Sequence, residues 1–548
     1  MKKNYLLTFF FVFVVMTINA QEDMPIVWET KLDHKIDYNG TGTEARGHSY
    51  AASEKELSVF NNDDGSILWT KSFSDLAPKL RKINDLIPFW ESNTIFLFDR
   101  KAGKDQIACV DIESGKLLWN SQKYQNVTEE VVVYVPEEDG FLISLKESLV
   151  FLKAHTGEEV WSTSKFKGAV GKYVLLPGTS EMVMVNFVPG GLAAFFTGFK
   201  NQIARINLKN GDIKWEATYI GRAEKKVITK EFVYTLDVID DKVYLKMNGM
   251  QTYDLNTGAT LWSAAFDFTA AVAPAPSGKI LKFGVYGAVA DPVIVGDDIF
   301  VLDMSGKKSQ YIKKFDKHTG KLLWTSGEIK GAKAIPNMYI VGDKVLLQIG
   351  GKVERQYKRR YKSGDSWVTE WAVDYPDVKP YGVQAYNTSD GSLAWESEKF
   401  KKGITNMLDY DGDIIVSSGK ALYSIDYMTG TDKYEVDVKN GGVGNASLIV
   451  PYGDDVIVVV GDKGISKFKV DNGDLICSSK YKASMPEDRI NDIIIMKTDK
   501  ADIACFDLDS NCEFKEFKAK KGATTTLSLE AEYVYVYENK VVTKVRTK

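Results

Sequence analysis

A chain of 548 residues carrying 70 Lys and Arg against 74 Asp and Glu, a formal charge of −4, lacks the electrostatic footprint of a non-specific nucleic-acid binder. Its four cysteines are too few for a disulfide-stapled scaffold. No C-x-x-C occurs, so the signatures of a zinc knuckle, a thioredoxin-like site and covalent haem attachment are missing.

Residues 1–20 open with Lys2 and Lys3, continue as an apolar run through Ile18 and end in Asn19-Ala20, the pattern of a secretory signal peptide. The mature chain, 21–548, holds no further run of 18 or more apolar residues, and no lipid-accepting Cys stands at the cleavage point. A periplasmic or secreted protein without a transmembrane segment or lipid anchor is expected.

Residues Pro25 to Leu32 read as an isolated strand bearing Trp28. From there a phrase recurs ten times: a polar turn ending in Gly, with Trp four residues later. The pairs are Gly65/Trp69, Gly115/Trp119, Gly157/Trp161, Gly211/Trp215, Gly258/Trp262, Gly320/Trp324 and Gly391/Trp395, decaying to Gly430/Tyr434, Gly473/Cys477 and Asn511/Lys515. Gly supplies a positive φ, and the Asp or Asn four places earlier (Asn61, Asp111, Asn207, Asp254, Asp316, Asn387, Asp426) is placed to accept bonds from free turn amides. Upstream of each phrase lie two further β-branched runs split by acidic turns, as at Val238–Leu245, Ile294–Val301, Ile340–Leu347 and Tyr452–Val459. Each repeat therefore contains four antiparallel strands, and a period of about 40–70 residues is that of a propeller blade with insertions. A single blade buries neither face alone, so the eight residues Trp28, Trp69, Trp119, Trp161, Trp215, Trp262, Trp324 and Trp395 are expected to dock neighbouring blades.

Three intervals exceed the repeat. Val188–Phe199 is apolar and Gly-rich and suits either a plug or a contact patch; Phe266–Gly296 reads as loop elaboration. The stretch 354–381 contains Arg355, Tyr357, Arg359, Arg360, Tyr361, Trp367, Trp371 and Tyr375, a cation-rich and aromatic mixture favoured at interfaces. These eight residues are the candidate partner-binding set, against the plainer alternative of a solvated hairpin. The last strands, Thr524 to Lys544, lack a Trp phrase and pair in this reading with the Trp28 strand to close the ring.

The phrase Asp-x-x-Thr-Gly-x-x-x-Trp resembles the repeat of the quinoprotein-like (PQQ-like) β-propellers, over essentially the whole mature chain. That superfamily holds pyrroloquinoline-quinone alcohol dehydrogenases and the non-catalytic lipoproteins of outer-membrane β-barrel assembly. The resemblance implies an all-β propeller of four-stranded antiparallel blades, 8 to 11 in number and eleven by repeat count including the shared closing blade. Dehydrogenases of the group hold the quinone under adjacent cysteines, and this chain has no adjacent cysteines. The assembly propellers look nearer, although they are usually eight-bladed and lipid-anchored.

Searching for chemistry yields little. His155 and His318 share one slot in different repeats, His34 and His48 fall in one repeat, and surface or structural roles are expected for all four. The pairs Asp240-Asp241, Asp297-Asp298, Asp411/Asp413 and Asp454-Asp455 sit at hairpin turns. Cys505 and Cys512 flank one turn and are candidates to pair, leaving Cys109 and Cys477 as buried thiols. The expectation is a monomeric, cofactor-free propeller binding an envelope or extracellular protein, or a glycan. Its rival is a PQQ- and calcium-dependent dehydrogenase or a sugar-active propeller enzyme with catalytic residues dispersed around the funnel.

Overall fold

The computed structural model describes residues 22–548 apart from 43–46, 79, 81–82, 84, 100–104, 126, 128–131, 146–147, 167–168, 188–200, 221–234, 248, 266–278, 305–309, 364–365, 398–399, 439–441, 483–485, 491, 499–501, 521 and 529–531. The signal peptide and the 188–199 insertion lie outside the described residues.

Among the described residues the chain forms an all-β propeller: eleven sheets contain four strands in antiparallel succession, and one further sheet has three. The sheet Tyr38–Thr41, His48–Ala52, Glu56–Asn61 and Ile67–Ser72 is representative, each strand pairing with the next. Acidic pairs supply the hairpin turns, with Asp240 and Asp241 at φ 49° and 57°. In most phrases the Asp or Asn caps its own turn, Asp111 accepting from the Ser114 amide and Asp254, Asp316 and Asp426 each from two amides, whereas Asn387 donates to the Ser392 hydroxyl. Bonds from the Thr257 and Thr319 hydroxyls, and then those from the turn amides, hold the carboxyls of Asp254 and Asp316 below the usual range.

Middle strands are apolar on both faces because both faces are covered. All six residues of Thr94–Asp99 are buried. Ile95 and Leu97 join Leu57, Val59 and Trp69 on one side, while Phe96 and Phe98 join Phe141, Ile143 and Val150 on the other. Alternation along one strand thus links three consecutive sheets.

The Trp of each outer strand reaches the next sheet. Its indole N–H donates to the carbonyl of the residue following that sheet's turn Asp, Asn or Lys: Trp28 to Asn62 (2.9 Å), Trp69 to Ile112 (2.8 Å), Trp119 to Ala154 (2.8 Å) and Trp161 to Leu208 (2.8 Å). The series continues with Trp215 to Leu255 (2.7 Å), Trp262 to Lys317 (3.0 Å), Trp324 to Thr388 (3.0 Å) and Trp395 to Tyr427 (2.8 Å). Each ring also lies against the next phrase's Gly. A Cβ on Gly258 would stand 2.5 Å from Trp215, and one on Gly430 would stand 2.4 Å from Trp395. The Gly is therefore required twice, for its φ of +71° at Gly258 and for the space its missing side chain leaves. Six of the eight indoles are buried, and Trp324 and Trp395 are half-buried.

Closure follows the expected route. Ile26–Lys31 pairs antiparallel with Val541–Arg546, and Trp28 of that composite sheet docks on the next one. Glu22–Asp23 runs parallel to Phe514–Phe517 in the adjoining sheet, so the start of the described chain ties two sheets together.

Three expectations are corrected. Cys512 bonds Cys477, not Cys505, and Cys505 is a buried free thiol like Cys109. The positive φ of the last phrase falls on Cys512 (59°) and not on Asn511, because that turn is one residue longer. Cys512 therefore occupies the Gly place facing the preceding Trp slot, where Cys477 stands: at this junction a disulfide replaces the indole and glycine. Finally, Phe266–Gly296 is more than loop, since it contributes the strand Lys279–Tyr286.

Candidate interaction surface

The three-stranded sheet is built from two insertions that are far apart in sequence. Glu354–Ser363 and Ser366–Asp374 form a hairpin between the second and third strands of one four-stranded sheet, and Lys279–Tyr286 pairs with its first arm. The hairpin continues directly from the long paired strands Lys344–Lys352 and Asp377–Asn387.

Register sorts its residues onto two faces. Arg355, Tyr357, Arg359 and Tyr361 share one, opposite Asp374, Ala372, Glu370 and Val368 respectively. Val285, Phe283 and Ile280 of the third strand lie on the same side. Gln356, Lys358, Arg360 and Lys362 share the other, opposite Val373, Trp371, Thr369 and Trp367. A bulge between Ile280 and Lys282 places both Lys279 and Lys282 on this second face, opposite Arg360 and Lys358.

At the root the first face turns inward. Val285 packs with Ala288, Ala334, Val353 and Val378, and Tyr357 is buried. Arg355 grips Asp374 through two nitrogens at 2.7 and 2.5 Å and lies over the Tyr357 ring at 5.8 Å. The Arg355 guanidinium holds the Asp374 carboxyl below its usual range. The second face is open there: Tyr286 is 42% exposed and Val373 52% exposed. Tyr375, beyond the strand end, is exposed as well. Of the eight candidate residues, the structure thus gathers seven on one hairpin and divides them between its faces; Arg355 and Tyr357 serve the fold at the root. The backbones of Arg359, Arg360, Tyr361, Trp367 and Trp371 are placed by register.

Beside the root, a cleft of 280 Å³ is lined by Lys352, Lys402, Asp377, Asn445 and Asp462, a balanced set of charges. Elsewhere, Asp492, Asp507 and Asp509 converge closely enough for a cation, but Lys548 occupies them: its ammonium pairs with Asp492, lies 3.5 Å from Asp507 and 3.2 Å from Asp509. The Tyr452 phenol bonds Asp509, and this bond together with those from Asp492 and Lys548 holds the Asp509 carboxyl down to about 2. The arrangement latches the closing sheet to its neighbour. The histidines serve separate sites: His34 bonds Ser58, His318 bonds Asp297, and His155 lies 3.8 Å from Asp139.

Sequence reading missed the pairing of the two insertions and the charge difference between their faces. The period-2 alternation of Lys358, Arg360 and Lys362 was the available signal; the partner strand and its bulge were not.

A family model described as outer membrane protein assembly factor BamB matches residues 53–281 and 381–542, and the hairpin falls in the interval between these segments. No curated protein matches the chain. Among solved structures, the chain is similar to BamB from Moraxella catarrhalis, with 13% identity over 77% of this chain and 99% of that chain and a TM-score of 0.30. It is also similar to the computationally designed Ika8 protein, with 12% identity, 70% and 97% coverage and a TM-score of 0.35. The matched segments span most of the 548 residues and take in six of the seven Gly–Trp pairs, all but Gly320/Trp324, and the chain belongs to the family of outer membrane protein assembly factor BamB.

Proposed function

We propose that this protein is a non-catalytic binding or scaffolding propeller of the cell envelope, reached through the secretory signal at residues 1–20, and that the accessory sheet is its contact surface for an envelope or extracellular protein, or a glycan. The carrying observation is that two insertions converge on one three-stranded sheet additional to the four-stranded sheets of the propeller, with arginines, lysines and aromatic residues at its register positions. Loops and extensions on a rigid scaffold are where family members acquire specificity. Among the described residues the polar turns bond to themselves and the converging carboxylates bond Lys548, so neither requires a ligand to explain it. In this reading the propeller works as a monomer without pyrroloquinoline quinone, calcium or another cofactor.

Tyr357 lies directly opposite Ala372, so a short Gly turn can replace residues 358–371 while the Arg355–Asp374 pair and the buried Tyr357 stay in place at the root. The shortened protein should retain its thermal transition and lose the partner captured by the full chain from envelope extracts. Undiminished capture by the shortened protein would refute this surface.

A further inference from the structure

Resting on the proposed contact role of the accessory sheet, we infer that its second face docks on an anionic lipid surface. Lys279, Lys282, Lys358, Arg360 and Lys362 share that face, with Glu354 its single acidic residue, at the root. Trp367 and Trp371 stand directly opposite Lys362 and Lys358. The other face is arranged differently, because there each arginine of the hairpin is opposite a carboxylate residue, Arg355 with Asp374 and Arg359 with Glu370.

On the second face like charges oppose one another across strands: Lys282 faces Lys358, and Lys279 faces Arg360. Such pairs destabilise an isolated sheet, and an external anion relieves the repulsion. The bulge matters here, since Lys279 and Lys282 are three residues apart and would fall on opposite faces of a regular strand.

Several observations select a lipid surface over an acidic peptide. Four of the five cations are lysines, point charges suited to phosphate rather than the bidentate forks that fix a carboxylate's geometry. Trp at register positions opposite Lys is a sequence combination favoured at a membrane–water boundary, since Trp is enriched at headgroup depth and Lys is drawn to lipid phosphate. The described root of this face is exposed, at Tyr286 and Val373. Because the chain as a whole carries −4, attraction to an anionic bilayer must come from a local patch.

The test is sedimentation of the mature protein with phosphatidylglycerol-rich vesicles and with phosphatidylcholine vesicles. Binding is expected to the former only and to vanish near 1 M salt, where screening reaches about 3 Å. The triple variant Lys282→Thr, Lys358→Thr, Arg360→Thr should partition about a hundredfold more weakly. The control Lys116→Thr, Lys321→Thr, Lys401→Thr removes the same charge from exposed positions elsewhere and should bind as the parent does. Absence of wild-type binding to anionic vesicles would overturn the inference without any variant, and so would equal loss in both triples. Saturable binding of poly-glutamate with no vesicle binding would assign the face to an acidic protein. That result would sink the lipid inference and leave the proposed contact role standing, whereas partner capture surviving removal of the hairpin would sink the role itself.

Discussion

Trp215 and Gly258 belong to different sheets yet act as one joint, and their coupling is measurable. Trp215 is 7% exposed, and its indole donates to the Leu255 carbonyl at 2.7 Å. Burying on the order of 200 Å² at about 25 cal/mol per Å² gives about 5 kcal/mol, an upper figure because unfolded chains are already partly compact. Trp215→Ala should therefore cost about 3–5 kcal/mol, in line with other aromatic truncations. Gly258→Ala acts from the other side: the new Cβ would lie 2.5 Å from the indole, on a backbone at φ +71°. The left-handed conformation costs about 1–2 kcal/mol, and the overlap a further ~1–3 kcal/mol. In the double variant the overlap is gone while the backbone cost remains. Its loss should thus fall short of the sum of the single losses by about 1–3 kcal/mol. Urea titrations of the four proteins, compared at a common slope, give this coupling. Additivity within about 0.5 kcal/mol would show that the indole does not rest on that glycine, and would refute the wedge.

Other consequences are equally specific. Replacing Cys477 and Cys512 together with Ala opens a loop of sequence separation 35, so loop-closure entropy predicts a loss of about 4 kcal/mol, read as a lowered melting temperature and matched by reductant on the parent protein. Cys109 and Cys505 are buried, and burial pushes the Cys505 thiol up to about 12 and Cys109 higher still; a thiol reagent should find no reactive cysteine in the native protein and two after unfolding without reductant. The Asp509 carboxyl is depressed from 3.8 to about 2, so the latch with Lys548 is complete above the ordinary value and is lost as pH falls through the depressed one. Asp509→Asn should accordingly flatten the acid dependence of melting between pH 4 and pH 2, and an unchanged profile would remove the latch from the account.

The fold was legible because its packing device is local. A turn ending in Gly and a Trp four residues on identify the outer strand, and the acidic hairpins identify the strands before it. The roles of Trp28 and of the last strands followed from where the phrase was incomplete. Other features depend on contacts between distant segments. The indole N–H bonds to the next sheet's turn join residues 32 to 64 positions apart, and no single repeat displays both partners. Cys505 looked the natural partner of Cys512 because they flank one turn, but Cys505 stands on a strand in the core shared with the closing sheet, whereas Cys512 lies in the turn itself and meets the preceding sheet. Cys477 qualifies because it stands in a Trp slot, and the turn's extra residue brings Cys512 into the Gly place opposite. The candidate surface was half visible. Alternating cations in 354–362 marked a strand, yet its edge is completed by Lys279–Tyr286 from an interval whose Ala, Pro and Gly content reads as loop. Which cations oppose carboxylates and which oppose one another depends on register and on a bulge, neither of which composition encodes.

Central to the whole is the claim that indoles dock one sheet on the next at eight junctions of the propeller. Hydrogen–deuterium exchange on protein labelled at the Trp Nε1 position tests it directly. Eight indole protons, from Trp28, Trp69, Trp119, Trp161, Trp215, Trp262, Trp324 and Trp395, should exchange far more slowly than free indole, each being bonded to a backbone carbonyl between sheets. Exchange of these protons at the rate of free indole in the folded protein would contradict it.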